Sequence, residues 1–234
     1  MSYTYTAASF YIMKITSSLF LMMVTAISFC PPVLAQNVED IVNGVQQHYE
    51  QTNDVQANFI QLSLIKSIGQ TKETRGLVFF QKPGKMRWEY TEPTQQLLVS
   101  DGKTFWLYVP DDEQVIVQEA EDAYGSKTPI VFLSGMGKLQ NDFYMKLLPP
   151  ATDQYVRKPA HRLELLPKEP QPDVAKLILT VDAADFQIVH SAVYDPYGNI
   201  TDVYLQDIEV NFGLPEGLFT FEIPEGVDVI QQKE

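Results

Sequence analysis

Residues 82–110 read Lys82-Pro-Gly-Lys-Met-Arg-Trp-Glu-Tyr-Thr-Glu-Pro-Thr-Gln-Gln-Leu-Leu-Val-Ser-Asp-Gly-Lys-Thr-Phe-Trp-Leu-Tyr-Val-Pro110, and this stretch decides the fold class. Three short runs rich in aromatic and branched side chains, near 85–91, 96–100 and 104–109, alternate with turn residues. Lys82-Pro83-Gly84-Lys85 closes one connection tightly, and Asp101-Gly102 is a dipeptide favoured in two-residue hairpin loops. Runs joined so closely are antiparallel neighbours. Within the first run, alternation puts Met86, Trp88 and Tyr90 on one face and Arg87 and Glu89 on the other.

The same pattern extends in both directions. Further strands are expected near 55–66, 74–82, 114–119, 143–148, 160–166, 174–181, 186–195, 200–210 and 218–223, with Asp195-Pro-Tyr-Gly-Asn199 forming another turn. Ahead of them Val38, Ile41, Val42, Val45 and Tyr49 recur at spacings of three and four among polar residues, which predicts an amphipathic helix ending near Thr52-Asn53-Asp54. A second, short helical piece is expected at 129–140, opened by Pro129 and weakened by Gly135 and Gly137. Pro167, Pro170 and Pro172 mark an exposed connection inside one domain. The expectation is a mainly β protein with one large antiparallel sheet. A sheet of that size curls, and the helices are the available cover for its inner face.

Composition bounds the function. The 234 residues are 45 % hydrophobic and carry a formal net charge of −13, which argues against any strong hold on phosphate backbones and hence against nucleic acid. Residues 1–35 hold one charge, Lys14, then an apolar run to Phe29 and Pro31-Pro-Val-Leu-Ala35. This reads as a secretory signal peptide cut after Ala35, with translation starting at Met1 or at Met13. The apolar run is shorter than the roughly 20 residues of a membrane-spanning anchor. Cys30 follows Phe29, where a lipidation signal wants a small residue, so it is not read as a lipid attachment site. Removal of this segment takes away the only Cys and leaves residues 36–234 as one acidic, thiol-free domain, suited to the periplasm.

Catalytic signatures are weak. His48, His161 and His190 lack the spacing of a metal site, and Ser134 lacks the glycine two residues before it that a nucleophile elbow uses. A hydrolase assembled from Ser100, Asp101 and His161 or His190 competes with the simpler reading of Ser100-Asp101-Gly102 as a hairpin turn. No catalytic residue, metal or cofactor is expected. Asn199-Ile-Thr201 matches a glycosylation sequon and reads as turn chemistry. What the strands do carry is apolar bulk on both faces, which suits either a packed core or an inner wall that holds an apolar ligand.

Residues 82–110 resemble the outer-membrane lipoprotein carrier family, in which a basic-Pro turn leads to aromatic residues, a Pro and then Leu-Val-Ser-Asp-Gly-Lys-x-x-Trp-x-Tyr-x-Pro. The likeness extends to Phe59-Ile60-Gln61, to Thr128-Pro129 and to Phe219–Val229. It implies an unclosed β-barrel of about eleven strands with an α-helical lid, acting without enzymatic activity as a monomeric periplasmic chaperone for acylated lipoproteins. Its implied partners are an inner-membrane ATP-driven lipoprotein release complex and the outer-membrane lipoprotein receptor LolB. On this reading Phe59, Val78, Phe80, Met86, Trp88, Tyr90, Leu98 and Phe105 line the lipid-binding cavity, and Ile41, Val45, Ile130, Phe132 and Leu133 form the lid. Lys82 latches that lid, standing where the family commonly has Arg, with Arg87 the other basic side chain able to share the role. A lipid-sensing or structural envelope module of the same fold is the competing reading.

Overall fold

The computed structural model describes residues 37–120 and 139–232, all of which belong to one unit, Gln36–Glu234. Among them are twelve strands: β1 (Asp54–Ile65), β2 (Gln70–Gln81), β3 (Lys85–Glu92), β4 (Gln96–Asp101), β5 (Thr104–Val109), β6 (Gln114–Glu119), β7 (Phe143–Leu148), β8 (Ala160–Pro167), β9 (Lys176–Asp182), β10 (Ile188–Tyr194), β11 (Ile200–Val210) and β12 (Asp228–Gln231). They form one sheet in the order β12-β6-β5-β4-β3-β2-β1-β11-β10-β9-β8-β7, so β12 and β7 are edges and the sheet does not close.

Two meanders meet in that order. From β1 the chain steps outward by consecutive antiparallel hairpins to β6. It resumes at the opposite edge with β7 and steps inward to β11, which pairs with β1 from Val55↔Val210 to Leu64↔Ile200. The turn chemistry accounts for the tight steps. Asp101 Oδ1 accepts from the N–H groups of Lys103 and Thr104, each at 2.8 Å, and Gly102 adopts φ +92°, a region open to glycine.

Helix α1 (Val38–Gln51) starts where Asn37 Oδ1 accepts from the Asp40 N–H at 2.8 Å, with Glu39 and Asp40 complementing the positive end of the helix. Its face of Ile41, Val42, Val45 and Tyr49 is buried, in one cluster with residues of β1–β3, β5 and β7–β11. The segment at 129–140 lies outside the described residues up to Lys138; a single helical turn, α2 (Leu139–Asp142), follows it. No helix among the described residues is long and apolar enough to cross a membrane.

The C-terminal expectation fails. Instead of a strand at 218–223 there is a 3-10 turn at Glu216–Phe219 followed by irregular chain, and the final strand lies at Asp228–Gln231. Pro215 and Pro224 bracket that segment, and proline has no N–H to give a ladder. The segment also crosses the face of the sheet away from α1, where side chains rather than backbone edges are offered. It docks there by burying Leu214 and Phe219, by the Arg87 guanidinium donating to Leu218 O at 3.2 Å, and by a Lys85–Glu216 ion pair. Strand β12 then pairs with β6 in parallel, the one departure from an all-antiparallel sheet.

Candidate functional site

Strand register sorts the inward side chains into rows running across β1–β5. The first row is Val55, Phe80, Met86, Ser100 and Phe105; the second is Ala57, Val78, Trp88, Leu98 and Leu107. The third is Phe59, Gly76, Tyr90 and Gln96, and a fourth begins with Gln61 and Thr74. All eight residues named from the sequence as cavity lining therefore stand on one face. Phe59, Val78, Phe80, Met86, Trp88 and Phe105 are buried, while Tyr90 and Leu98 are half-buried against the same cluster. That face is the one on which α1 lies, and Ile41 and Val45 are buried against it. Ile130, Phe132 and Leu133 lie outside the described residues.

The aromatic side chains form a continuous patch. Trp88 lies 4.8 Å from the ring of Phe59 and 6.0 Å from that of Phe80, and Phe59 meets Tyr90 edge-on at 5.0 Å. Gly76 makes room for it: a Cβ there would stand 1.8 Å from Glu89 O and 2.9 Å from Phe59 Cε1. The Tyr90 hydroxyl donates to Gln61 Oε1 at 3.0 Å, and burial raises its pKa to about 12.

Contacts from several parts of the chain add to the buried apolar face in holding α1 in place. The Lys82 ammonium donates to Tyr49 O, and to Glu50 O at 3.4 Å, at the helix end where unpaired carbonyls favour a cation. Partial burial lowers the Lys82 pKa, opposed by the charge of Glu50. The Tyr49 hydroxyl accepts from the Ile188 N–H at 3.3 Å, and burial pushes that phenol far above its usual range. Gly44 lets the helix approach Phe186, whose ring a Cβ would meet at 2.6 Å. Asn211 receives the Asn53 N–H at 2.7 Å and donates to Gln51 O at 3.2 Å. Arg87 faces the other side of the sheet, bound to Leu218 O and Glu89, and makes none of these contacts.

Alternation along β3 exposes Met86, Trp88 and Tyr90 to sequence reasoning, whereas Gly44, Phe186, Gly76 and Asn211 were not among the expected residues. Their roles come from pairings distant in sequence; only the Gly in an apolar helix face offered a local signal. The far wall of the cluster, with Leu163, Leu165, Leu177, Leu179 and Val181 from β8 and β9, also went unnamed.

Among the described residues no hydrogen bond joins Ser100 to His161 or His190. Ser100 Oγ accepts from the Gly102 N–H at 3.1 Å within its own turn. His190, in β10, lies beyond β3, β2, β1 and β11 from that strand, and its ring nitrogens meet Thr180 at 3.0 Å and Asp202 at 2.9 Å.

An unclosed, predominantly antiparallel sheet with an amphipathic helix against its apolar inner face defines the open-barrel class. Within it, residues 50–222 match the family model described as outer membrane lipoprotein carrier protein LolA. Among relatives, an outer-membrane lipoprotein carrier protein of Nitrosomonas europaea is 32 % identical, with 92 % of this chain and 99 % of that protein covered. One of Azotobacter vinelandii is also 32 % identical, over 85 % and 91 %. A structure of an uncharacterized conserved protein from Thermus thermophilus shares the fold, with TM-score 0.53 and 16 % identity over 84 % of this chain and all of that one. The chain belongs to the outer-membrane lipoprotein carrier family.

Proposed function

We propose that this chain is a periplasmic carrier that takes up the acyl chains of lipoproteins on the inner face of its sheet. The observation that supports this reading is the shared apolar surface of α1 and the rows through Phe80, Trp88 and Phe59, beneath a helix that is held by its own apolar face and by a few polar contacts at its C-terminal end. Residues 1–35 direct export and are removed.

Each methylene buried contributes about 0.8 kcal/mol, so a sixteen-carbon chain is worth on the order of 12 kcal/mol relative to water. Such chains cannot cross an aqueous space unshielded. They already have that stabilisation in a bilayer, so transfer to the protein is close to balanced and the cavity need only match the membrane. Loading then requires an outside energy source, and delivery an acceptor with a slightly better grip. An inner-membrane ATP-driven release complex and an outer-membrane receptor fill these two roles.

In the empty protein Ile41 and Val45 occupy space on the inner face that ligand would take. Displacing α1 breaks the Lys82 contacts to Tyr49 O and Glu50 O and the Tyr49–Ile188 bond, and it uncovers the apolar surface under Ile41, Val42 and Val45, which acyl chains then cover in their place. Lys82 is the latch in this scheme, acting on the end of α1. Binding is by nonspecific apolar contact, and no covalent bond is made or broken. Native mass spectrometry of the protein isolated from periplasm tests the proposal. Acylated polypeptide should remain bound in a one-to-one complex, and protein that carries none after export in a lipoprotein-producing cell would overturn it.

A further inference from the structure

Trp88 carries a polar atom that its surroundings leave unanswered. The side chain is only 5 % exposed, and its indole Nε1–H has no hydrogen-bond partner among the described residues. Buried indole N–H groups usually find a partner, because an unmade hydrogen bond leaves the full desolvation cost of the donor. A phenylalanine would fill much of the same space without that cost.

The described neighbours do not supply an acceptor. The rings of Phe59, Phe80 and Tyr90 surround Trp88 at 4.8, 6.0 and 6.3 Å between centroids, and an aromatic face is a weaker acceptor than a carbonyl. The Tyr90 hydroxyl is engaged with Gln61, and the Gln61 amide nitrogen donates to Ser63 Oγ at 3.1 Å. A buried water needs two to four polar partners, which this wall of rings does not offer.

The position of the donor is informative. Trp88 stands in the second row, next to the row of Phe80, Met86 and Phe105, while two rows further along are Gln61 and Thr74. Thr74 Oγ1 is likewise buried without a partner among the described residues. Apart from Ser100, whose hydroxyl is engaged in its own turn, side-chain polarity along these four rows rises toward Gln61 and Thr74, and in the first two rows the Trp88 Nε1–H is the one side-chain donor left without a partner among the described residues. A fatty acyl group has the matching order: a hydrocarbon tail, then one carbonyl acceptor, then a polar remainder.

We infer that the Trp88 Nε1–H donates to the carbonyl oxygen of an acyl ester or amide bound on this face. The tail then runs toward Phe80, Met86 and Phe105 and the polar end toward Gln61 and Thr74. The inference rests on the carrier reading above and adds a chemical preference to it, for acyl chains over alkyl ether chains of equal length.

Two probes test it on the exported chain: a dipalmitoyl ester-linked lipopeptide and its dihexadecyl ether analogue. The native protein should bind the ester about five- to tenfold more tightly, the worth of one hydrogen bond, and Trp88→Phe should remove that preference by weakening the ester more than the ether. In the native protein the nitrogen-15 indole resonance of Trp88 should shift with the ester and not with the ether, with Trp106 as an internal control. This readout needs no variant to fold. Equal affinity for the two probes, a preference that survives in Trp88→Phe, or an indole signal that answers both probes alike would overturn the inference. Failure to bind either probe would overturn the carrier reading itself, a different result.

Discussion

At Gly76 an added methyl group would meet Glu89 O at 1.8 Å and the edge of Phe59 at 2.9 Å, so backbone and ring must both give way. Gly76→Ala should cost about 1–3 kcal/mol of stability, the usual range for overpacking a core, read as a lower urea midpoint. Trp88→Glu introduces a carboxylate among Phe59, Phe80 and Tyr90 with no cation beside it, and it should abolish lipoprotein uptake. Lys72→Glu, on the exposed part of β2, should leave uptake within twofold in the same assay. Retained uptake in Trp88→Glu would make Trp88 ordinary packing. Alternation alone made Met86, Trp88 and Tyr90 legible in sequence, since a strand needs only its own period. Gly76 was not legible, because what requires a glycine there is a carbonyl on the neighbouring strand and a ring on another.

Helix α1 shows the same division between local and distant causes. Its register followed from the spacing of Ile41, Val42, Val45 and Tyr49. Of its attachments only Lys82 was expected, from the family resemblance, since Phe186 just before β10, Ile188 at its start and Asn211 after β11 reach it from distant parts of the chain. Tyr49→Phe leaves the Ile188 N–H buried without its partner, at a cost of about 1–3 kcal/mol. Amide exchange in α1 should accelerate while the β1–β2 ladder stays protected; equal acceleration in both would mean that the helix does not open independently. Lys82→Met should loosen the same helix, and Lys82→Arg, with a fork of donors for two carbonyls, should tighten it. The C-terminal strand was misplaced for a related reason. A run such as Phe219-Thr-Phe-Glu-Ile223 has strand composition, but only the folded sheet decides whether it finds an edge or a face.

At the scale of the whole molecule, buried phenols set a limit on alkaline stability. Tyr90 ionises at about 12 in the folded protein, and burial also raises Tyr49 and Tyr204, the latter helped by its bond to Asp153. In the unfolded chain a tyrosine ionises near 10. Between the two values the unfolded state holds fewer protons than the folded one, so stability is intact below about pH 10 and falls as pH rises through the folded values. Thermal unfolding followed against pH, beside the phenolate absorbance, should show this loss; a flat profile to pH 12 would contradict it. Consecutive hairpins made most of the sheet order readable from turn residues. The junction of the two meanders was not readable, because no local signal announces that Val55 will face Val210. That junction also sets the order of events in folding. Each meander closes from near neighbours, whereas the β1–β11 seam, with Gln56 bound to Glu209 and Asn58 to Asp207, waits on the largest loop closure in the chain. A chain emerging amino end first therefore displays an unpaired β1 edge until its last long strand arrives, and pulse-labelled exchange should find β2–β5 protected before β11.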